Sequence, residues 1–177
     1  MELSLTLEQV IDFLLETELF GDLSPGELGD IVQIMQIQRF RPEQVIFGEG
    51  DAGDAWYVIF DGAARVEKRD PFSPTREVAN LGPHACFGEM AILDDSPRSA
   101  SITATEDTTT FRFPAASFAM LLEEQSVAGY KLVHAMAKIL CARQRAMNGQ
   151  IADLVDRMGG RESDVVRRSA PGEAGDE

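Results

Sequence analysis

The spacing of apolar residues along the chain changes twice. Near the start, Leu7, Val10, Ile11, Leu14 and Leu15 recur at helical spacing, which predicts an amphipathic helix with one face turned to a core. A second helix is predicted from Ser24. The run Ser24-Pro25-Gly26-Glu27 supplies a capping hydroxyl, a proline at the first helical position and a glutamate placed to return a hydrogen bond. Leu28, Ile31, Val32 and Met35 then supply its apolar face. From Arg39 the helical period gives way to short apolar runs: Val45–Phe47, Trp56–Phe60, Ala64–Lys68, Glu77–Leu81, Ser101–Ala104 and Thr109–Phe113. Gly48, Gly50, Gly53, Asp61-Gly62 and Gly82-Pro83 punctuate them, and Asp70–Pro74 reads as a hairpin loop. Many short strands with regular turns predict a sandwich, barrel or jelly roll.

After Pro114 the helical period returns. Ala115–Glu124 reads as a short helix, and a long one is predicted from Val127 to Met158. In the long helix Tyr130, Val133, Ala137, Leu140, Gln144, Met147, Ile151, Leu154 and Met158 are spaced alternately by three and four, a heptad seam. A second stripe, Leu132, Met136 and Ile139, is placed to dock on the β domain. The seam predicts a homodimer through a coiled coil; the alternative is that both stripes pack within one chain. Gln144 at a seam position costs stability and sets register, and Gly149 weakens the helix locally. Residues 159–177 are Gly-rich and charged, and a disordered tail is expected there. The organisation read from the pattern is a helical segment at 1–38, a β-rich domain at 39–126, a long helix at 127–158 and a tail at 159–177.

Charge narrows the classes of partner. Asp and Glu number 30 against 16 Lys and Arg, a net charge of −14 over 177 residues. Broad binding to nucleic acid or to an anionic membrane needs clustered cations, so neither is expected; one local anion site stays open. Cys86 and Cys141 are far apart and unpatterned, which fits a reducing compartment and no metal motif. The start does not resemble a signal peptide and no apolar run is long enough to span a bilayer, so a cytoplasmic location is expected. No His, Cys and carboxylate cluster points to a metal, and no nucleophile with base and orienter points to an enzyme.

Candidate chemistry concentrates in Phe87–Ile102, FGEMAILDDSPRSASI. Its one arginine, Arg98, needs an anionic partner: its neighbours Asp94 and Asp95, or a small anionic ligand. Phe87 ends a strand, and Gly88 allows a tight turn or a close approach to a ligand. Glu89-Met90-Ala91-Ile92 can form one helical turn, whose free N–H groups suit an anion. Glu89 suits a ligand that also offers a hydroxyl. Arg98 presents a planar fork for two phosphate oxygens, stiffened by Pro97, and Ser99 adds a hydroxyl. Together these suit a ribose carrying a phosphate diester.

This segment resembles the phosphate-binding cassette of the cyclic nucleotide-binding domains, which include the ligand-binding domains of the catabolite activator protein and of cAMP-dependent protein kinase regulatory subunits. FRPEQVIFGEGDAGDAWYVIFDGAARVEKR is similar to the family's opening strands, and the resemblance covers about Arg39 to Met147. It implies an α+β fold, an eight-stranded β-roll or jelly roll flanked by N-terminal helices and a long C-terminal helix, with a cassette at 87–102. It implies that Gly88 contacts the ligand by its backbone, Glu89 the ribose 2′-hydroxyl and Arg98 the cyclic phosphate. Met90, Ala91, Ser99 and Ala100 complete that end, with Ala100 allowing a close backbone approach. Val66, Val78, Leu81 and Phe87 are implied for the wall around base and ribose. Arg143 and Gln144 stand where the bacterial activator reaches the adenine with small hydroxylated residues. Leu81-Gly82-Pro83-His84-Ala85 departs from the family's Leu-Gly-Pro-Gly-Asp turn. The function implied is a stand-alone receptor for cAMP, less so cGMP, with an unknown downstream protein and no cofactor. The alternative is a dimeric interaction module with a vestigial pocket. A transcription factor of the activator type is disfavoured by the acidic stretch that follows the long helix.

Overall fold

The computed structural model describes residues 5–70 and 72–168, with the side chains of 73–75 and 158–168 left aside. The chain divides into two compact units, Met1–Met136 and Ala137–Glu177.

The first unit opens with helix α1, Leu7–Glu16, and helix α2, Pro25–Ile34, joined through a 3-10 turn at Glu18–Phe20. Both helices begin at capping boxes. Gln9 N–H donates to Thr6 Oγ1 at 3.2 Å while Thr6 N–H donates to Gln9 Oε1 at 2.9 Å. Ser24 and Glu27 exchange the same pair of bonds at the head of α2. Each box satisfies N–H groups that the first helical turn leaves without an acceptor. The buried face of α1 is Val10, Phe13 and Leu14. Leu7 and Leu15, assigned to that face from spacing, are exposed. Phe13 is placed to take their role: it meets Phe60 and Phe111 edge-on and stacks on His84 at 4.2 Å.

Eight strands follow: β1 Gln36–Phe40, β2 Val45–Phe47, β3 Ala55–Asp61, β4 Ala64–Asp70, β5 Ser73–Leu81, β6 Cys86–Phe87, β7 Ser101–Ala104 and β8 Thr108–Pro114. They form two four-stranded antiparallel sheets in the orders β1-β8-β3-β6 and β2-β7-β4-β5, a jelly roll with mixed helices as the resemblance implied. β1 is the strand that the apolar pattern did not show. It lies at the edge of its sheet and pairs only with β8, so its sequence QIQRF carries just one fully buried residue, Phe40.

β3 organises the core. Residues 55–59 are buried on both faces, and side chains along a strand alternate between them. Ala55, Tyr57 and Ile59 point between the sheets, where they meet Ala64, Phe87 and Ile102. Trp56 and Val58 point to the opposite face. There the Trp56 ring stacks on Phe113 at 4.0 Å, with Phe20 and Phe118 around it. The hairpin between β4 and β5 is tighter than the loop expected at Asp70–Pro74, for Asp70 already pairs with Ser73.

Helix α3 is the single turn Met90–Leu93, α4 runs over Ala115–Glu123 and α5 over Val127–Arg168. Leu132 and Met136 of α5 are fully buried within the first unit. In the second unit Met147, Ile151 and Leu154, members of the heptad seam, are all exposed. The helix continues past Met158 to Arg168, into the stretch expected to be disordered. The expected tail at 169–177 lies outside the described residues.

Candidate functional site

β6 ends at Phe87 and delivers the chain to Gly88, whose φ is +78°. Only glycine adopts that conformation without strain, and space enforces the same choice: a Cβ there would stand 2.8 Å from Arg98 Nη1. Glu89 then starts α3, its carbonyl accepting from the N–H groups of Ile92 and Leu93 at 3.1 Å each. Glu89 is 3% exposed and Ala91 is buried, while Met90 stands out at the surface.

Arg98 returns to this turn and is held at both backbone and side chain. Its N–H donates to Asp51 O at 2.8 Å, and its carbonyl accepts from Gly50 N–H at 2.9 Å. These two bonds clip the cassette to the loop between β2 and β3. Arg98 is 2% exposed. Nη1 donates to Gly88 O at 2.8 Å, and Nη2 donates to Ala55 O at 2.7 Å and to Asp54 Oδ1 at 3.1 Å. The plane lies over the Phe47 ring, 4.0 Å from its centroid, a favourable placement for a cation. Nε is buried and makes no hydrogen bond.

Within the protein Arg98 pairs with the carboxylate of Asp54, and with neither Asp94 nor Asp95. Those two neighbours are exposed, and Asp94 turns to the Ser96 N–H instead, at 3.1 Å. A surface ion pair does not describe Arg98 either, because its side chain is buried. Asp54 is exposed and shares its carboxylate: Oδ2 accepts from Arg112 Nη2 at 2.7 Å. Partial burial raises the Asp54 pKa, but the Arg112 hydrogen bond and the charges of Arg112 and Arg98 outweigh it and hold the group below the usual carboxylate range.

Ser99 is exposed, with its hydroxyl directed to Met90 Sδ at 3.9 Å. Its carbonyl accepts from Lys68 Nζ at 2.5 Å, and the same ammonium pairs with Glu49 at 2.9 Å. Lys68 thus ties β4 to the far end of the cassette. Ala100 is half-buried beside it. Among the wall residues, Phe87 is buried and stacks on Tyr57 at 5.1 Å, while Val66 and Leu81 pack against the same cluster. Val78 does not join them. Leu81 pairs with Ala64 and Ala79 with Val66, and the register then slips so that Val78 has no opposite residue. Alternation puts Ala79 on the side of Leu81 and turns Val78, which is exposed, the other way.

Arg143 and Gln144 belong to the second unit. Both are exposed, and the Gln144 amide donates to Asn148 Oδ1 at 3.1 Å, one turn along α5. Three residues that touch the cassette are not among those expected at the site: Phe47 of β2, Lys68 of β4 and Asp54 from the loop before β3. Gly53 marks a turn in the sequence, but nothing in the local spacing says what Asp54 beside it meets. Among the described residues no group of three or more His, Cys, Asp or Glu is arranged to hold a metal ion. No helix among them is long and apolar enough to cross a membrane.

A buried guanidinium with an unused N–H, a glycine turn and a buried carboxylate on one short segment can recognise an oxyanion beside a hydroxyl. Comparison with known proteins bears on which one. Residues 37–125 match the family model described as "Cyclic nucleotide-binding domain". The cyclic AMP receptor protein of Thermus thermophilus is 31% identical over 69% of this chain and 56% of its own length. A cAMP-dependent protein kinase regulatory subunit from Hypocrea atroviridis is 35% identical over 54% of this chain and 20% of its own. The chain thus spans about half or less of these curated relatives. Among solved structures, a cyclic nucleotide-binding domain from Methylobacillus flagellatus superposes with a TM-score of 0.75 at 28% identity, covering 82% of this chain and 84% of that one. The catabolite activator protein of Thermus thermophilus gives 0.68 at 30% identity, covering 78% and 63%.

Proposed function

The chain belongs to the cyclic nucleotide-binding domain family, and from that premise we propose that it is a cyclic nucleotide receptor, for cAMP ahead of cGMP, that signals without catalysing a reaction. The observation that carries this reading is Arg98: a fully buried cation whose Nε has no acceptor, placed against the Gly88 turn. In this reading a cyclic phosphate meets Arg98 and the Gly88–Ala91 turn, with Ser99 and Ala100 at the rim. Glu89 accepts from the ribose 2′-hydroxyl, as the resemblance implies. Asp54 can give up Arg98 without being stranded, because Arg112 holds its other oxygen. The preference for cAMP draws on relatives named for that ligand; Arg143 and Gln144 are the candidates for reading the base.

Exposed Tyr130, Met147, Ile151 and Leu154 at heptad spacing support a homodimer through α5. A ligand that fits one arrangement of the cassette better than another would shift the population between them, and a downstream protein would read that shift. The second reading is an interaction module with a vestigial pocket. It is favoured by the fact that Arg98 already has three acceptors within the protein. Titration calorimetry with cAMP, cGMP and a cyclic dinucleotide separates the two. Saturable heat with cAMP, weaker with cGMP, is expected. No heat with any of them would leave the interaction module standing.

A further inference from the structure

We propose that the groove between α2, α4 and the first turn of α5 is a docking site for a basic, amphipathic segment of a partner protein. The groove has a volume of about 670 Å³ and lies wholly within the first unit. Its apolar surface comes from Ile34, Met120, Leu121 and Val127. Met120 and Val127 are each 59% exposed, so large apolar side chains from three elements meet in one concave, wet place. A cluster of this kind marks an interaction surface more often than a scatter of single residues does. The unbranched, polarisable Met120 suits an imprecise apolar partner.

The rim sets the partner's charge. Asp30 on α2 and Glu124 at the end of α4 border the groove, with Glu27 beside them. Glu27 is already neutralised by Lys131, at 2.8 Å. Asp30 and Glu124 are exposed, and among the described residues no cation pairs with either. α4 ends in Glu123 and Glu124 with no basic residue in its last turn. Two carboxylates therefore stand at the negative end of a helix dipole, an arrangement that opposes the helix by itself and that a cation from outside relieves. Lys or Arg flanking an apolar anchor meets both demands.

The same charges argue against the other occupants. A second copy of this chain brings a net charge of −14 to an acidic rim. Residues 169–177 carry Glu173, Asp176 and Glu177 and no Lys or Arg, so the chain's own sequence there is repelled. Nothing in this proposal depends on nucleotide binding.

The test uses the full chain and a dye-labelled synthetic peptide of Leu and Lys at helical spacing, followed by fluorescence anisotropy, with the Glu-for-Lys peptide alongside. The Lys peptide is expected to bind saturably and the Glu peptide not at all. Asp30→Lys/Glu124→Lys is expected to weaken binding by at least about tenfold, since it turns complementary charges into opposed ones. Met120→Ser/Val127→Ser, which leaves the charge unchanged, is expected to weaken it too. Glu16→Lys/Glu106→Lys changes the net charge equally, on exposed residues outside the groove, and is expected to have little effect. Circular dichroism confirms that each variant is folded. Equal weakening by both charge-reversal pairs would overturn the proposal in favour of general attraction to an acidic protein. A wild-type dimer in sedimentation, dispersed by Asp30→Lys/Glu124→Lys without peptide, would overturn it in favour of a second copy.

Discussion

Replacing Arg98 by alanine separates what this side chain does for the fold from what it does for a ligand. The guanidinium donates to two backbone carbonyls, Gly88 O and Ala55 O, and to Asp54, all while buried. Hydrogen bonds to a charged group contribute about 1.5–3 kcal/mol each, and breaking a buried ion pair costs about 3–5 kcal/mol. Asp54 is exposed and stays bonded to Arg112, so its share is small, and water entering the vacated space partly satisfies the carbonyls. A destabilisation of about 3 kcal/mol remains. For a domain of this size that is a fall of about 6–12 °C in Tm. Urea unfolding followed by circular dichroism measures it without ligand. A loss below about 1 kcal/mol, no more than a single neutral hydrogen bond contributes, would show that Arg98 does not hold the turn. Arg112→Ala serves as the control: it removes the other half of the Asp54 bridge, so an equal loss would mean that Asp54, not the carbonyls, carries the effect. With cAMP present, wild type at a hundred times Kd gains about 2.7 kcal/mol. The variant is expected to bind about 30- to 5,000-fold more weakly, the consequence of losing about 2–5 kcal/mol from a buried charge contact, and so to lose most of that gain. A variant that binds as tightly as wild type would refute the assignment of Arg98 to the phosphate.

Gly88→Ala is expected to cost about 1–2 kcal/mol from the left-handed backbone alone, to push Arg98 aside and to weaken cyclic nucleotide binding in calorimetry. Gly62→Ala, at φ +90° with Asp107 O 2.5 Å from the new Cβ, is expected to destabilise comparably while leaving affinity unchanged. The Glu27 carboxyl, held down by hydrogen bonds from Lys131 and Ser24, has its pKa lowered from 4.5 to about 2. The unfolded chain therefore binds the proton first, and the contribution of Glu27 is full above pH 4.5 and fades as the pH falls towards 2. The stability advantage of wild type over Glu27→Gln, read from urea midpoints, is expected to shrink across that window; a constant difference would refute it. Gln144→Leu is expected to tighten a coiled-coil dimer in sedimentation equilibrium. Gln144→Ala with both oligomeric state and nucleotide affinity unchanged would rule out a double role for that residue.

Much of this protein is written in short stretches of its sequence. The strands at Val45–Phe47 and Ser101–Ala104 show in their short apolar runs, although their pairing joins Val45 to Thr103. The capping box at Ser24–Glu27 follows from local rules, because its hydrogen bonds lie within three residues. The cassette is legible for the same reason: the Gly88 turn, the short helix after it and Arg98 are within one segment, so residue order alone displays the chemistry. β1 escaped because an edge strand buries little and so carries little apolar signal. The direction of Val78 escaped because apolar character alone suits the wall, whereas the alternation along β5 sets Val78 opposite to Leu81; the slipped pair between β4 and β5 only leaves it without an opposite residue. The partner of Arg98 escaped because Asp54 lies 44 residues away, beyond any helical or strand period. Local propensity and spacing thus determined which elements form and which residues carry charge. Only the packing of β3, the loop before it and the cassette decided that the arginine is buried, what it holds and which of its N–H groups is left without a partner. Burial and long-range pairing are properties of surfaces brought together, and no single stretch of chain contains both surfaces.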